Sequence, residues 1–353
     1  VLSKELASLC VGSARGEFGG ESVIGNSSAL CPGAAGDTTS DLLEERKIQN
    51  IVMADGPAGL RLSEMFMTDK NDQQIPGTGG AAIPGMEELM RDMPKPEIPA
   101  DAKTYYQYCT AIPIATLLAQ TWDMELVEQA GDIVGEEMKE FGVTSWLAPG
   151  MNIHRNPLCG RNFEYYSEDP LMAGLCAAAD TKGVQKHGGV GTCIKHFALN
   201  NQEDNRMHVN SHVSERTARE IYLRGFEIAV KESQPMSIMS SYNLINGIHT
   251  ANNYELLTSI ARDEWGFNGI VMTDWGTTGN MAFQKGTEAK YGNSSAAGCI
   301  KAGNDLIMPG SQNDVDDIVK SVGAKDGEVE YPLTLSELQS CARRILNTIM
   351  SAS

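Results

Sequence analysis

Eight short apolar runs, spread over the chain and separated by stretches of helical periodicity, constrain this sequence most. They are 51–55 (IVMAD), 110–118 (TAIPIATLL), 145–149 (SWLAP), 191–197 (GTCIKHF), 207–213 (MHVNSHV), 236–242 (MSIMSSY), 269–274 (GIVMTD) and 304–309 (NDLIMP). A strand that is apolar without interruption has both faces covered, the condition of a parallel sheet flanked by helices. The fifth run alternates and departs from that pattern. Helices are predicted over 123–141, 170–187, 214–232, 253–265, 287–302 and 335–350, with Asp123 and Ser214 as N-caps. Val1-Leu2-Ser3-Lys4-Glu5 also reads as a helix start. Strand and helix alternating eight times predict an α/β fold, a (β/α)8 TIM-like barrel, irregular at its first and fifth strands. A doubly wound sheet is the rival. Residues 1–353 are read as one barrel domain, with Gly- and Pro-containing insertions at 10–40 and 62–107. Loops that long commonly bind ligands.

A length of 353 residues fits either two domains or one large barrel. The net charge of −18 argues against nucleic acid or an anionic membrane as partner, because both require clustered Lys and Arg. No run of 18 apolar residues is present to span a membrane. The eight cysteines (10, 31, 109, 159, 176, 193, 299 and 341) form no CxxC and read as reduced, buried thiols. The first residues lack a signal-peptide pattern, which predicts a cytoplasmic chain; oligomerisation is left open. The absence of an initiator Met reads as a fragment or a processed piece.

Barrel chemistry sits at the C-terminal ends of strands. The first run ends in Asp55-Gly56-Pro57, with Arg61 nearby. The third leads into Asn152, His154, Arg155 and then Gly160-Arg161-Asn162-Phe163-Glu164. The fourth ends in Lys195-His196, followed by Asn200, Glu203 and Arg206. The sixth ends in Tyr242-Asn243 and the seventh in Asp274-Trp275. Any one of these is explained as a solvated loop residue or a structural ion pair. Five strand ends together suit a polyol, because hydroxyls need paired donors and acceptors and a sugar's apolar face needs an aromatic ring. Phosphate competes for the cations, but no Gly-rich phosphate loop follows the seventh or eighth run, and Asp55 and Asp274 would repel an anion. Asp274 follows Gly269-Ile270-Val271-Met272-Thr273 and should lie inside the mouth. An ionised, positioned carboxylate there can attack an anomeric carbon; capping the next helix is the structural alternative.

At these residues the sequence resembles glycoside hydrolase family 3, the two-domain β-glucosidase group. The matching segments are MADGPAGLR (53–61), LAPGMNIHRNPLCGRNFEYYSEDP (147–170), KHFALNNQEDNR (195–206), SIMSSYNLING (237–247) and GIVMTDW (269–275), in the family's order. The resemblance implies a retaining β-glycosidase, most simply a β-glucosidase, with Asp274 as nucleophile. It implies that Asp55 binds sugar hydroxyls, surrounded by Arg61, Arg161, Lys195, His196 and Arg206, with Tyr242 beside the nucleophile and Trp275 flanking the sugar. It further implies non-proline cis peptides near Lys195–His196–Phe197, a β-glucoside or oligosaccharide substrate, and no metal or other cofactor.

A retaining mechanism also needs a general acid/base. In two-domain relatives this is a Glu of a second α/β sandwich domain, and that domain has no counterpart here. Inverted domain order, with the sandwich first, is the favoured explanation, since ARRILNTIMSAS reads as a natural end. Glu164, Glu168 and Glu203 are the internal candidates. His208 and His212 lack the spacing of the His-Asp loop in N-acetylglucosaminide-cleaving relatives, and no third ligand makes them a metal site. The alternatives kept open are a β-xylosidase or other exo-β-glycosidase, a sugar-binding barrel inactive without its partner domain, a phosphorylase or N-acetylglucosaminidase of the same family, and an aldolase-like barrel with Lys195 as Schiff-base former.

Overall fold

The computed structural model describes residues 2–13, 28, 30–75, 78, 97–278 and 294–352. Much of the two insertions, the loop 278–295 and the start of the 287–302 helix lie outside these residues. The fold is α/β. Its main sheet has six strands: β1 (Gly36–Asp37), β2 (Val52–Ala54), β5 (Ser145–Trp146), β6 (Gly191–Phe197), β8 (Ser237–Ser240) and β11 (Ile270–Met272). They pair in that order, β1 antiparallel to β2 and the rest parallel. Isolated bridges continue the ladder from Met272 to Leu306, from Ile307 to Val11, and from Ser13 to Asp37.

Side chains alternate along each central strand. Val52, Trp146, Ile194, Ile238 and Val271 join one buried cluster, and Met53, Leu147, Cys193, Met239 and Met272 join the other. Both faces are thus covered, which is why these segments read as unbroken apolar runs. Helices Met124–Phe141, Pro170–Gln185 and Arg224–Ser233 pack around the first cluster. Asp123 and Ser214 cap as expected, accepting from Leu126 N and Thr217 N. The 214–232 segment is interrupted by a π-helical turn at Ala218–Tyr222. All eight cysteines are free thiols, seven of them buried.

Several expected elements differ. The run 110–118 is not a strand: Ala115–Gln120 is a helix that starts after Pro113. Ile112, Ala115, Leu118 and Ala119 are buried while Leu117 is exposed, the three-and-four spacing of a helix rather than a pleat. The run 207–213 contributes only β7 (Asn210–Ser211), which pairs with β9 (Leu244–Ile245) and β10 (Ile248–His249) in a side sheet. Its alternating pattern fits a sheet with one wet face. In 304–309 only Leu306 and Ile307 pair. Conversely, the 10–40 segment supplies sheet partners at Val11, Ser13 and β1. The 62–107 segment is bracketed by an antiparallel pair, β3 (Met65–Thr68) with β4 (Lys103–Tyr106), and Phe66 stacks on Tyr105 at 5.5 Å. Helix Gln312–Ser321 was not anticipated, although Ser311 and Asp314 form a capping box that the sequence displays.

Candidate active site

The main strands run parallel, so their C-terminal ends share one edge. A cavity of about 470 Å³ lies there, lined by Asp55, Arg61, Arg161, Lys195, His196, Arg206, Tyr242, Asp274 and Trp275. These are the nine residues expected from the sequence, contributed by segments more than 200 positions apart. Phe163, Glu164, Leu147, Met239 and the turn 56–59 also line it.

The turn is built for close backbone approach. Gly56 adopts φ +117°, and a Cβ there would meet the Gly59 carbonyl oxygen at 2.0 Å. Trp146, at the end of β5, donates its indole N–H to the Gly56 carbonyl at 2.8 Å and fixes the turn from below. Asp55 thereby faces two cations. Lys195 Nζ donates to Oδ1 at 2.8 Å, and Arg61 pairs with Oδ2. Burial opposes ionisation of Asp55, but Lys195, Arg61 and the Gly56 amide prevail and hold its carboxyl well below the usual range.

Asp274 is surrounded differently. It is 7% exposed, and its Oδ1 accepts the Trp275 amide at 2.7 Å. Its Oδ2 lies 3.7 Å from His196 Nε2. Among the described residues no lysine or arginine reaches it at ion-pair distance. Burial raises its pKa above the ordinary carboxylate value, and Arg206, Arg161, the Trp275 amide and Lys195 counter only part of that. Burial and the Asp274 carboxylate likewise push the Tyr242 phenol well up. Its hydroxyl donates to the Trp275 carbonyl at 2.6 Å, and Arg206 lies over its ring at 5.0 Å.

A second layer holds this set. Arg161 Nε donates to Glu164 at 2.5 Å, and Arg206 pairs with Glu203 at 3.0 Å. Asn152 clamps the His196 backbone from both sides, at 2.8 and 2.9 Å. Non-proline cis peptides occur at Lys195–His196 and Phe197–Ala198, where the resemblance led us to expect them. Of the glutamates considered as an internal acid, Glu164 and Glu203 are bound to arginines, and Glu168 is exposed and does not line the cavity. His208 and His212 do not line it either.

The family model described as the glycosyl hydrolase family 3 N terminal domain matches residues 102–348. The chain belongs to this family. It is 39% identical over 311 residues to thermostable beta-glucosidase B of Acetivibrio thermocellus, covering 88% of this chain and 34% of that one. It is 38% identical over 307 residues to an exo-alpha-(1->6)-L-arabinopyranosidase of Bifidobacterium breve, covering 87% and 34%. Beta-glucosidase 3B of Thermotoga neapolitana, solved in complex with alpha-D-glucose, superposes with a TM-score of 0.76 at 40% identity, covering 99% of this chain and 41% of that one. The chain spans about a third or less of the length of the curated relatives it matches. The cavity lies on the family 3 domain; Tyr165, which holds His196 from behind, is not among the site residues expected from the sequence, and Asn152 and Asn200 appear there only as polar residues at strand ends. Its signal was present, since Tyr165 falls inside the family motif at 147–170.

Proposed function

We propose that this chain is the nucleophile-bearing domain of a retaining β-glycoside hydrolase that removes terminal β-D-glucose. The observation that carries this reading is the contrast inside one cavity. Asp55 is neutralised by direct ion pairs, whereas Asp274 is buried, oriented by one amide and left without a contacting cation. A carboxylate tied into a salt bridge is a poor nucleophile; one held ionised by charges at a distance is a good one. In this reading Asp274 attacks the anomeric carbon, the bond to the leaving oxygen breaks, and a glycosyl ester forms that water later hydrolyses. Asp55, Arg61, Arg161, Lys195, His196 and Arg206 bind ring hydroxyls, Tyr242 supports the carboxylate and Trp275 flanks the ring. The general acid lies outside the described residues, on an α/β sandwich domain. Relatives more than twice as long leave room for such a domain.

The architecture we favour is an eight-stranded barrel in one domain. The six-stranded sheet and the bridges through Leu306, Ile307, Val11 and Ser13 form a ring of eight segments. That ring supports closure, with the cavity at its C-terminal face.

A panel of activated aryl β-D-glycosides tests the reading, because such leaving groups depart with little protonation. Turnover of the glucoside by this chain, abolished in Asp274→Asn, is expected. Binding without turnover would make the chain a sugar-binding barrel. Preference for an arabinopyranoside or xyloside would correct the glycone, and stimulation by phosphate would make it a phosphorylase.

A further inference from the structure

His196 lies within β6 with both ring nitrogens inside the protein. Its Nδ1 is 3.1 Å from the Tyr165 hydroxyl, and its Nε2 faces the cavity, 3.7 Å from Asp274 Oδ2. Tyr165 is fully buried and meets the imidazole edge-on, centroids 6.2 Å apart. The phenolic oxygen has one other neighbour, Asn200 Nδ2 at 3.1 Å. The same nitrogen is 3.3 Å from Glu203 Oε1, and Glu203 is paired with Arg206. A carboxylate only accepts, so the end of Asn200 that faces it is the amide nitrogen, and Asn200 donates to Tyr165. Among the described residues no acceptor other than His196 Nδ1 lies within reach of the Tyr165 proton. We propose that Tyr165 is a positioning residue that holds His196 as the neutral Nε2–H tautomer, so that the ring meets the cavity as a hydrogen-bond donor only.

Burial and the cations Arg161, Lys195 and Arg206 oppose a second proton on the ring and hold its pKa well below the usual imidazole value. A hydroxyl that meets Nε2–H must accept there and give its own proton elsewhere, and Asp55 is an acceptor in the same cavity. What the donor is for rests on the cavity being a sugar site. The tautomer does not, because it is measured without substrate.

The test is long-range ¹H–¹⁵N correlation on the full chain labelled at its histidines, of which there are six. His196 is assigned by loss of its signals in His196→Gln. The expected wild-type spectrum has a protonated Nε2 and a bare Nδ1, unchanged from pH 8 to pH 5. In Tyr165→Phe, which keeps the packing and removes the proton, the two nitrogens shift toward a mixture of tautomers. Asn200→Asp, which replaces that donor with a carboxylate able to take the Tyr165 proton, should mix them as well, and decides the matter if Tyr165→Phe does not fold. A protonated Nδ1 in the wild type, an imidazolium at pH 7, or unchanged nitrogens in the folded variant would overturn the proposal. If the sugar-site reading also holds, Tyr165→Phe lowers kcat/KM about tenfold, mainly through KM.

Discussion

Two buried aspartates lie against strand β11, Asp274 just past its end and Asp305 on the neighbouring segment, and the two are treated in opposite ways. Asp305, beside Val271, is fully buried. Its Oδ2 accepts from Arg262 at 2.6 Å and from the Val271 amide at 2.8 Å, and its Oδ1 accepts from Arg344 at 2.7 Å. Arg262 also donates to the Gly269 carbonyl. This triad ties two helices to the base of the sheet. Past the end of the strand, Asp274 has one amide, the Tyr242 phenol, the His196 ring and arginines that act without touching it. Burial costs both carboxylates hydration. Contact with cations turns that cost into a rigid joint, while cations held at a distance leave an ionised oxygen available for chemistry.

Substitution should separate the two aspartates. Asp274→Asn is expected to lower turnover about 10⁴–10⁶-fold. It should leave stability unchanged or slightly raised, because a poorly compensated buried charge is removed. Enzyme kinetics beside urea denaturation checks both halves. Asp305→Asn should do the reverse for stability, costing about 3–5 kcal/mol by leaving two arginines in a dry site without their counter-ion. An Asp305→Asn protein as stable as the wild type would break the comparison.

Asp180 sharpens it, since its only described partner is the Tyr166 hydroxyl at 2.7 Å. Burial pushes its pKa up to about 7. With a raised folded pKa, its neutral form favours the fold fully below the ordinary carboxylate value, and that contribution is lost as pH rises toward 7. Asp180→Asn should therefore stabilise the chain by about 1–3 kcal/mol at pH 7 and hardly at all at pH 4, as read by denaturation at both pH values. The smallest effect concerns Asp274 itself. A raised pKa means that protonation silences the nucleophile earlier on acidification. The acid limb of kcat/KM for an activated glycoside should fall at a pH above the ordinary aspartate value of 3.8. A limb at or below it would indicate that the surrounding arginines neutralise Asp274 fully.

Much of this was legible in the sequence, for identifiable reasons. Runs such as GTCIKHF and GIVMTD are apolar on both faces because helices cover both, so the central strands stood out. The site was legible because parallel strands deliver their last residues to one edge: Asp55, Tyr242 and Asp274 each end such a run, and Lys195 lies two residues before the end of another. Pairing outside the apolar runs was hidden. Gly36–Asp37 is two residues long and polar at one of them, and Val11 and Ser13 pair singly. The segment TAIPIATLL misled because its apolar content suits strand and helix alike, and Pro113 was read as strand interior rather than as a helix start. Asn200 and Tyr165 contribute by which atom faces which, and no spacing in the sequence encodes that.

The central claim, that Asp274 is the atom-bearing nucleophile, is tested most directly by trapping. The chain is incubated with 2,4-dinitrophenyl 2-deoxy-2-fluoro-β-D-glucoside, whose leaving group needs no acid and whose fluorine slows hydrolysis of the ester. The account predicts one equivalent of fluoroglucosyl, mapped by peptide mass spectrometry to Asp274, and none in Asp274→Asn. Label on another residue, or equal labelling in Asp274→Asn, would contradict it.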